Sequence, residues 1–398
     1  MANRRCAGRR SSALEESLHL LMKYIENQDY RGFDPYDALL SPFFELPILK
    51  GNKLLRFGSQ QFVKRFPINL RPLLFVPKGL NPVTLGLCIQ GYAYLSRAYP
   101  DKRPSFTEKV RTLTEKLEGL IPKGYAGACW GYDFDWEARD AKIPAYQPTV
   151  VATGIITNAL FTAWKMIGSD KCRDLCLSAT HFVVKDLQRT YNGPDRFCFS
   201  YSPFDQQQVF NASMKGARLL AQAWSETHEA ELEVTARAAV DFVVNQQKNT
   251  GAWAYSLASG GGWSDNYHTG YVLDCLDEYI NLTGDKKYKD NLAKGYAFYK
   301  KHFLTKEGFP KYYHDRLYAV DCTAAGQTLL TLCRFGDIKL AQKVADWMGK
   351  NMQAEDGHFY FRKFPFYTIK TSFMRWSNAW MFAGLAYLRY KSGGTRSL

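Results

Sequence analysis

Residues 251–303, GAWAYSLASGGGWSDNYHTGYVLDCLDEYINLTGDKKYKDNLAKGYAFYKKHF, contain one whole structural period of this 398-residue chain. After Gly251, the aromatic run Trp253/Tyr255 reads as extended, and a glycine-rich loop follows. Polar residues then crowd together at 263–271, WSDNYHTGY, and an apolar pattern at helical spacing begins at once (Val272, Leu273, Leu276, Tyr279, Ile280). Thr283-Gly284-Asp285 is a short connection, and 286–303 reads as a second helix. One period is therefore a long loop carrying polar and aromatic groups, a helix, a tight turn and a helix.

The same order occurs five times. Helical pairs are predicted at 82–99 and 105–120, 149–168 and 171–188, 212–227 and 230–247, 269–283 and 286–303, and 322–335 and 339–352. Their first helices recur roughly every sixty residues, longer than common solenoid units. Aromatic runs follow the pairs: Trp130/Tyr132/Phe134, Phe197/Phe199/Tyr201, Trp253/Tyr255, Phe309/Tyr312/Tyr313 and Phe359/Tyr360/Phe361. Long connections between pairs and short ones within them suit an all-α, (α/α)6 toroid, with inner helices around a cavity and the long loops on one rim. Helices at 11–28 and 379–391 lack partners. Pairing them completes a sixth hairpin and closes the ring; an open solenoid is the alternative. The chain thus reads as one domain, 1–398, with 11–80 as an N-terminal helix and irregular arm and 81–391 as repeated hairpins. Prolines and glycines in 32–58 and 61–82 predict that the arm is largely irregular.

Lysine and arginine total 52 against 38 acidic residues, a net charge of +14, which suits an anionic partner. No nucleic-acid-binding motif accompanies the charge, and nucleic acid is not an expected partner. The first residues lack the apolar stretch of a secretory signal, and no clean twenty-residue apolar span is evident. The nine scattered cysteines read as reduced, buried thiols, and a cytoplasmic location is expected. No paired CxxC zinc ligands and no Walker or Rossmann glycine motif occur, so neither a metal nor a cofactor is expected. Gln247…Gly251-Ala252-Trp253 resembles a triterpene-cyclase repeat, but the acidic clusters that such chemistry uses are absent.

Five polar clusters fall in the loops that share the expected rim. They are Trp130, Tyr132, Asp133, Asp135, Trp136 and Arg139; Tyr201, Asp205, Gln206 and Asn211; Trp263, Asp265, Asn266 and His268; Lys311, Tyr312, Tyr313, His314, Asp315, Arg316 and Asp321; and Arg362, Arg375, Trp376 and Asn378. Aromatic faces stack on sugars while carboxylates and amides hold hydroxyls, so a poly- or oligosaccharide is the expected substrate. Each residue alone also suits a helix cap or a buried hydrogen bonder.

Two chemistries compete. Hydrolysis needs paired carboxylates, for which Asp133, Asp135, Asp265, Asp315 and Asp321 are candidates. Proton transfer beside a uronate carboxylate needs an acid, a base and groups that neutralise the acid charge. His268, Tyr312, Tyr313 and His314, with Asn266 and Arg316, supply those types. The candidate catalytic set is therefore His268, Tyr312, Tyr313, His314, Asp265, Asp133 and Asp135. The candidate substrate-binding set is Trp130, Tyr132, Trp136, Tyr201, Asn211, Trp263, Asn266, Arg316, Asp321 and Trp376. A non-catalytic glycan-binding factor of the same fold is the reading from another class.

CWGYDFDW, PTVVATG, FSYSPFD with VFNAS, WSDNYHTGY and PKYYHDRLYAVD, in that order, together with DPYDALLSP and KRFPINLRPLL, resemble a bacterial family of exopolysaccharide- and capsule-biosynthesis proteins with a six-hairpin glycosidase-like toroid. The resemblance implies an α/α toroid and a role in making or trimming a surface polysaccharide. It does not choose among hydrolase, lyase and epimerase.

Overall fold

The helices begin and end where local chemistry requires. Thr149, Asp265 and Asp321 each accept a hydrogen bond from a free N–H of the turn that follows, on Ala152, His268 and Ala324. Gly168 and Gly284 end their helices in the left-handed region, at φ 78° and 73°, which a residue without Cβ adopts at little cost. These signals delimit the helical pairs in a computed structural model that describes residues 2–137 and 142–393.

The helices, in chain order, are α1 (Ala2–Asn27), α2 (Pro47–Lys50), α3 (Lys53–Arg65), α4 (Pro82–Ala98), α5 (Arg103–Glu118), α6 (Val150–Ile167) and α7 (Asp170–His181). They continue with α8 (Phe210–Thr227), α9 (Ala230–Val244), α10 (Asn266–Thr283), α11 (Lys289–Phe303), α12 (Cys322–Arg334), α13 (Ile338–Met352) and α14 (Trp380–Ser392). Helices α4, α6, α8, α10, α12 and α14 pack side by side in that order, and α14 returns to α4. The inner ring is closed. Outside it lie α5, α7, α9, α11, α13 and α1, each showing one apolar stripe inward, as Phe106, Val110, Leu113 and Leu117 do on α5.

The sixth hairpin joins the two ends of the chain. Leu14, Leu18, Leu21 and Ile25 of α1 are buried, and Glu15 accepts a 3.0 Å hydrogen bond from Arg389 Nε of α14. Where α14 meets α4, Tyr94 stacks on Tyr387 at 4.3 Å between ring centroids. Gly91 admits the Phe382 ring there, because a Cβ would lie 2.4 Å from it.

The arm departs from expectation. Residues 53–65 form helix α3 although the prolines pointed to irregular chain. Asn52 caps it by accepting from Leu55 N–H, and it ends at Phe66 (ψ 133°), the extended conformation imposed on a residue before proline. Two expected helices are also shorter, α7 ending at His181 and α9 at Val244, and a π turn (Phe182–Asp186) continues α7. A second π turn (Met374–Ala379) leads into α14. Among the described residues, seven short strands, in two hairpins and one three-stranded sheet, brace the rim loops.

Among the described residues, one helix, α6, has the length and apolar composition of a membrane span, and two-thirds of it is buried inside the ring. The eight described cysteines are all buried and unpaired.

Candidate functional site

Every long loop enters the N-terminal end of an inner helix, so the loops collect where the free N–H groups and positive dipole ends of the ring converge. That rim surrounds a cavity of about 280 Å³, close to the size of small ligand pockets. Its wall is an aromatic chain. Trp263 stacks on Tyr255 (4.5 Å), which meets His268 (4.7 Å). His268 adjoins Tyr267 (4.1 Å), and Tyr267 adjoins both Tyr312 (5.9 Å) and Trp376 (5.7 Å). Trp376 meets Tyr36 (5.6 Å), Tyr36 meets Trp136 (5.8 Å), and Trp136 meets Tyr201 (6.2 Å). Tyr132, Phe134, Tyr313 and Arg375 complete the wall above a floor of Ile155, Tyr271 and Trp380.

Asp265 has two tasks. Its Oδ1 accepts the His268 backbone N–H at 2.9 Å and caps α10, while Oδ2 lies 2.9 Å from His268 Nδ1. The carboxylate is fully buried and the imidazole mostly so. A proton on Nδ1 satisfies this contact, which leaves Nε2 of the neutral ring as an acceptor for the cavity. Burial pushes the phenols of Tyr201, Tyr267, Tyr271 and Tyr312 up, so they face the cavity as neutral O–H groups.

The opposite wall comes from the arm. Arg375, on the π turn before α14, is held by both oxygens of Asp34 at 2.6 and 2.8 Å, with both side chains buried. This fork uses Nε and Nη2. The guanidinium also lies 4.6 Å over the Tyr132 ring. Asp34 and Asp37 are tied together, since Arg71 bonds Asp37 Oδ1 (2.6 Å) and the Asp34 carbonyl (2.8 Å). Lys64 of α3 donates to the Tyr36 hydroxyl and sits 3.8 Å over its ring. Burial pushes the Lys64 ammonium well below the usual range, and the Tyr36 phenol up to about 12.

Of the candidates, the structure brings His268, Tyr312, Tyr313, Tyr132, Trp136, Tyr201, Trp263 and Trp376 to this cavity. It places the others elsewhere. Trp130 is core, its indole N–H spent on the Leu117 carbonyl at 2.9 Å. Asp133 accepts from Asn81 and packs against Gly79, and burial raises its carboxyl to about 6. Asp135 fastens the rim hairpin through Ala145 N–H (2.9 Å) and Lys142 (3.5 Å).

Asn266 spends its amide on Lys311 O, Tyr299 and Thr328, and Asn211 lies behind His268 in a separate small void. His314 turns toward Phe298, His302 and Phe303, away from the cavity. Arg316 is exposed and pairs with Asp315. Asp321 is buried, caps α12 and holds Arg362 at 2.6 Å. Arg139 lies outside the described residues. None of the described residues lining the cavity is a carboxylate.

Tyr36, Phe134, Tyr255, Tyr267, Tyr271, Arg375 and Trp380 join the site without having been selected. Phe134 and Tyr255 belonged to the aromatic runs, Tyr267 and Tyr271 to the stretch at 263–271, and Arg375 to the fifth cluster. DPYD, at 34–37, was the available signal for Tyr36.

Below the floor, a void of about 30 Å³, room for one or two waters, is lined by Lys215, Arg218, Asp274, Gln327 and Arg334. Lys215 Nζ lies 3.6 Å over the Tyr271 ring, and burial pushes its ammonium down to about 7. The unfolded chain therefore binds this proton more tightly than the native one. Stability falls as pH drops from about 10.5 toward 7 and levels off below. Lys215→Met is expected to flatten that part of the melting-temperature profile and to melt higher at neutral pH. An unchanged slope between pH 7 and 10 is the contrary result.

The closed ring of six hairpins with loops gathered on one rim defines an (α/α)6 toroid. Solved toroids share it at low sequence identity. An unsaturated glucuronyl hydrolase specific for heparin matches with a TM-score of 0.61 and 12% identity, over 96% of each chain. The unsaturated glucuronyl hydrolase of Bacillus sp. GL1 matches at 0.58 and 10%, over 94% of this chain and 95% of that one. Cellobiose 2-epimerase of Bacillus thermoamylovorans matches at 0.58 and 12%, over 78% of this chain and 87% of its own. These likenesses show the fold. No protein-family model matches the sequence, and no curated protein matches it.

Proposed function

We propose that this protein is a carbohydrate-active enzyme of surface-polysaccharide biosynthesis that moves a proton on a uronate-type sugar, as a C5-epimerase or lyase. The observation that carries this reading is His268. Its imidazole, oriented by the buried Asp265, faces a cavity whose other polar lining groups are phenols, indole N–H groups and Arg375. Such a wall stacks sugar rings and supplies neutral proton donors. The Arg375 fork to Asp34 leaves Nη1 for a substrate carboxylate, where it would stabilise charge developing as the neighbouring C–H proton leaves. In this reading Nε2 of His268 takes the proton, and Tyr312 or Tyr313 returns one. Hydrolysis through paired aspartates is less favoured, since Asp133, Asp135, Asp265, Asp315 and Asp321 are all outside the lining. The activities of the similar toroids, sugar epimerisation and glucuronyl hydrolysis, support a glycan substrate. The role in exopolysaccharide or capsule synthesis rests on the sequence motifs, and the cytoplasmic location on the scattered cysteines.

Incubation with defined uronate oligosaccharides in deuterated water tests this. Deuterium at C5 identifies an epimerase, and a new unsaturated-sugar absorbance identifies a lyase. New reducing ends with neither signal would overturn proton transfer in favour of hydrolysis. Saturable binding without any product would make the protein a glycan-binding factor.

A further inference from the structure

Helix α3 is amphipathic in the inverse sense. Its polar residues face the protein: Gln60 exchanges hydrogen bonds with the Glu137 backbone, Arg56 pairs with the buried Glu137 carboxylate at 2.6 Å, and Lys64 reaches Tyr36. Of its apolar residues Val63 is buried, but Leu54 at 81% and Phe62 at 57% exposure face out. The neighbouring parts of the arm do the same: Ile48, Ile68, Leu73 and Phe75 are between 69% and 80% exposed. Scattered apolar residues on a protein surface are ordinary, but seven large exposed ones, Leu55 among them, within 28 residues of a single arm form a face that water does not favour. Phe43 lies against Phe75 at 6.2 Å, which links the two ends of the arm in this face.

Its charge is one-sided. Residues 42–78 contain seven lysines and arginines and one acid, Glu45, which Lys50 pairs at 2.7 Å. Three of the cations (Arg56, Lys64, Arg71) turn inward to the contacts described above. Lys50, Lys53, Arg65 and Lys78 stay on the exposed side. An apolar face with a cationic border matches the boundary between acyl chains and anionic headgroups. A second copy would bring like charges together, on chains already at +14.

We infer that the arm docks this protein on an anionic membrane surface, with Leu54, Phe62 and their neighbours entering the headgroup layer. Because Lys64 and Tyr36 line the inner side of the same helix, docking places the cavity within about one helix diameter, roughly 10 Å, of the membrane. A glycan held at the bilayer would then reach the aromatic wall.

Flotation of the full chain with vesicles tests the inference independently of any enzymatic assay. The protein is expected to float with phosphatidylcholine vesicles containing about 30% phosphatidylglycerol, and at least about tenfold less with phosphatidylcholine alone. Leu54→Ser with Phe62→Ser is expected to reduce flotation at least about tenfold while the melting temperature holds, since both side chains are exposed. If that variant proves unstable, Ile48→Ser with Leu73→Ser tests the same face from other segments. Lys53→Gln with Arg65→Gln should weaken binding to the anionic vesicles only. A chain that stays in the soluble fraction, or floats equally well on both vesicle types, would overturn the inference. So would a solution dimer that Leu54→Ser with Phe62→Ser converts to monomer, because a second copy would then cover the face.

Discussion

Replacing His268 by alanine is expected to lower turnover of a uronate substrate by about 10²–10⁴-fold, the usual contribution of a positioned acid–base group. The fold should tolerate the change. The cap on α10 is made by Asp265 Oδ1 to the backbone N–H of residue 268, which alanine keeps. The imidazole borders the cavity and packs on Tyr255 and Tyr267, so a modest loss of stability accompanies the change without unfolding the helix. Turnover measured beside thermal unfolding separates this outcome from general damage. Wild-type turnover in the variant would remove His268 from the chemistry. Asp265→Ala is the informative contrast, because it removes both the cap and the imidazole's tether and so should reduce stability and turnover together.

Asp34→Ala should be the most destabilising single change near the site. It leaves the Arg375 guanidinium buried without its partner, and breaking a buried pair in this way costs about 3–5 kcal/mol. It also removes one tie between the arm and the C-terminal hairpin, leaving the Phe33 carbonyl bond to Met374 N–H, so the cavity wall formed by Tyr36 should loosen and turnover should fall. Replacing both members, Asp34→Ala with Arg375→Met, removes the unpaired charge and should recover much of the stability but none of the activity. Urea unfolding of the two variants reads the difference directly. Equal losses in both would show that packing, not charge, holds the arm.

The ring was legible because its punctuation is local. Thr149, Asp265 and Asp321 cap helices, Gly168 and Gly284 end them, and the apolar spacing between follows the helical period. Helix α3 was hidden for a related reason. Leu54 and Phe62 point outward and Gln60 and Lys64 inward beside Val63, so no continuous inward apolar stripe marks it. At the site, the aromatic residues of the long loops could be recognised as a class, and most of those selected line the cavity. The polar candidates could not be sorted. Asp133, Asp135, Asn266 and Asp321 share the composition of a catalytic rim, yet each is consumed by caps, turns or buried pairs that depend on distant partners. Asp34 and Arg375 are tied across 341 positions, and no local pattern announces such a contact.

That separation also sets an order of events on the ribosome. At about 5–20 residues per second, roughly 20–70 s pass between synthesis of Asp34 and of Arg375. For that interval the nascent arm has neither its guanidinium partner nor α14 to complete the ring. Its outward leucines and phenylalanines are exposed from the start, so the incomplete chain is a client for chaperones, and early termination before the π turn yields a product without a finished cavity.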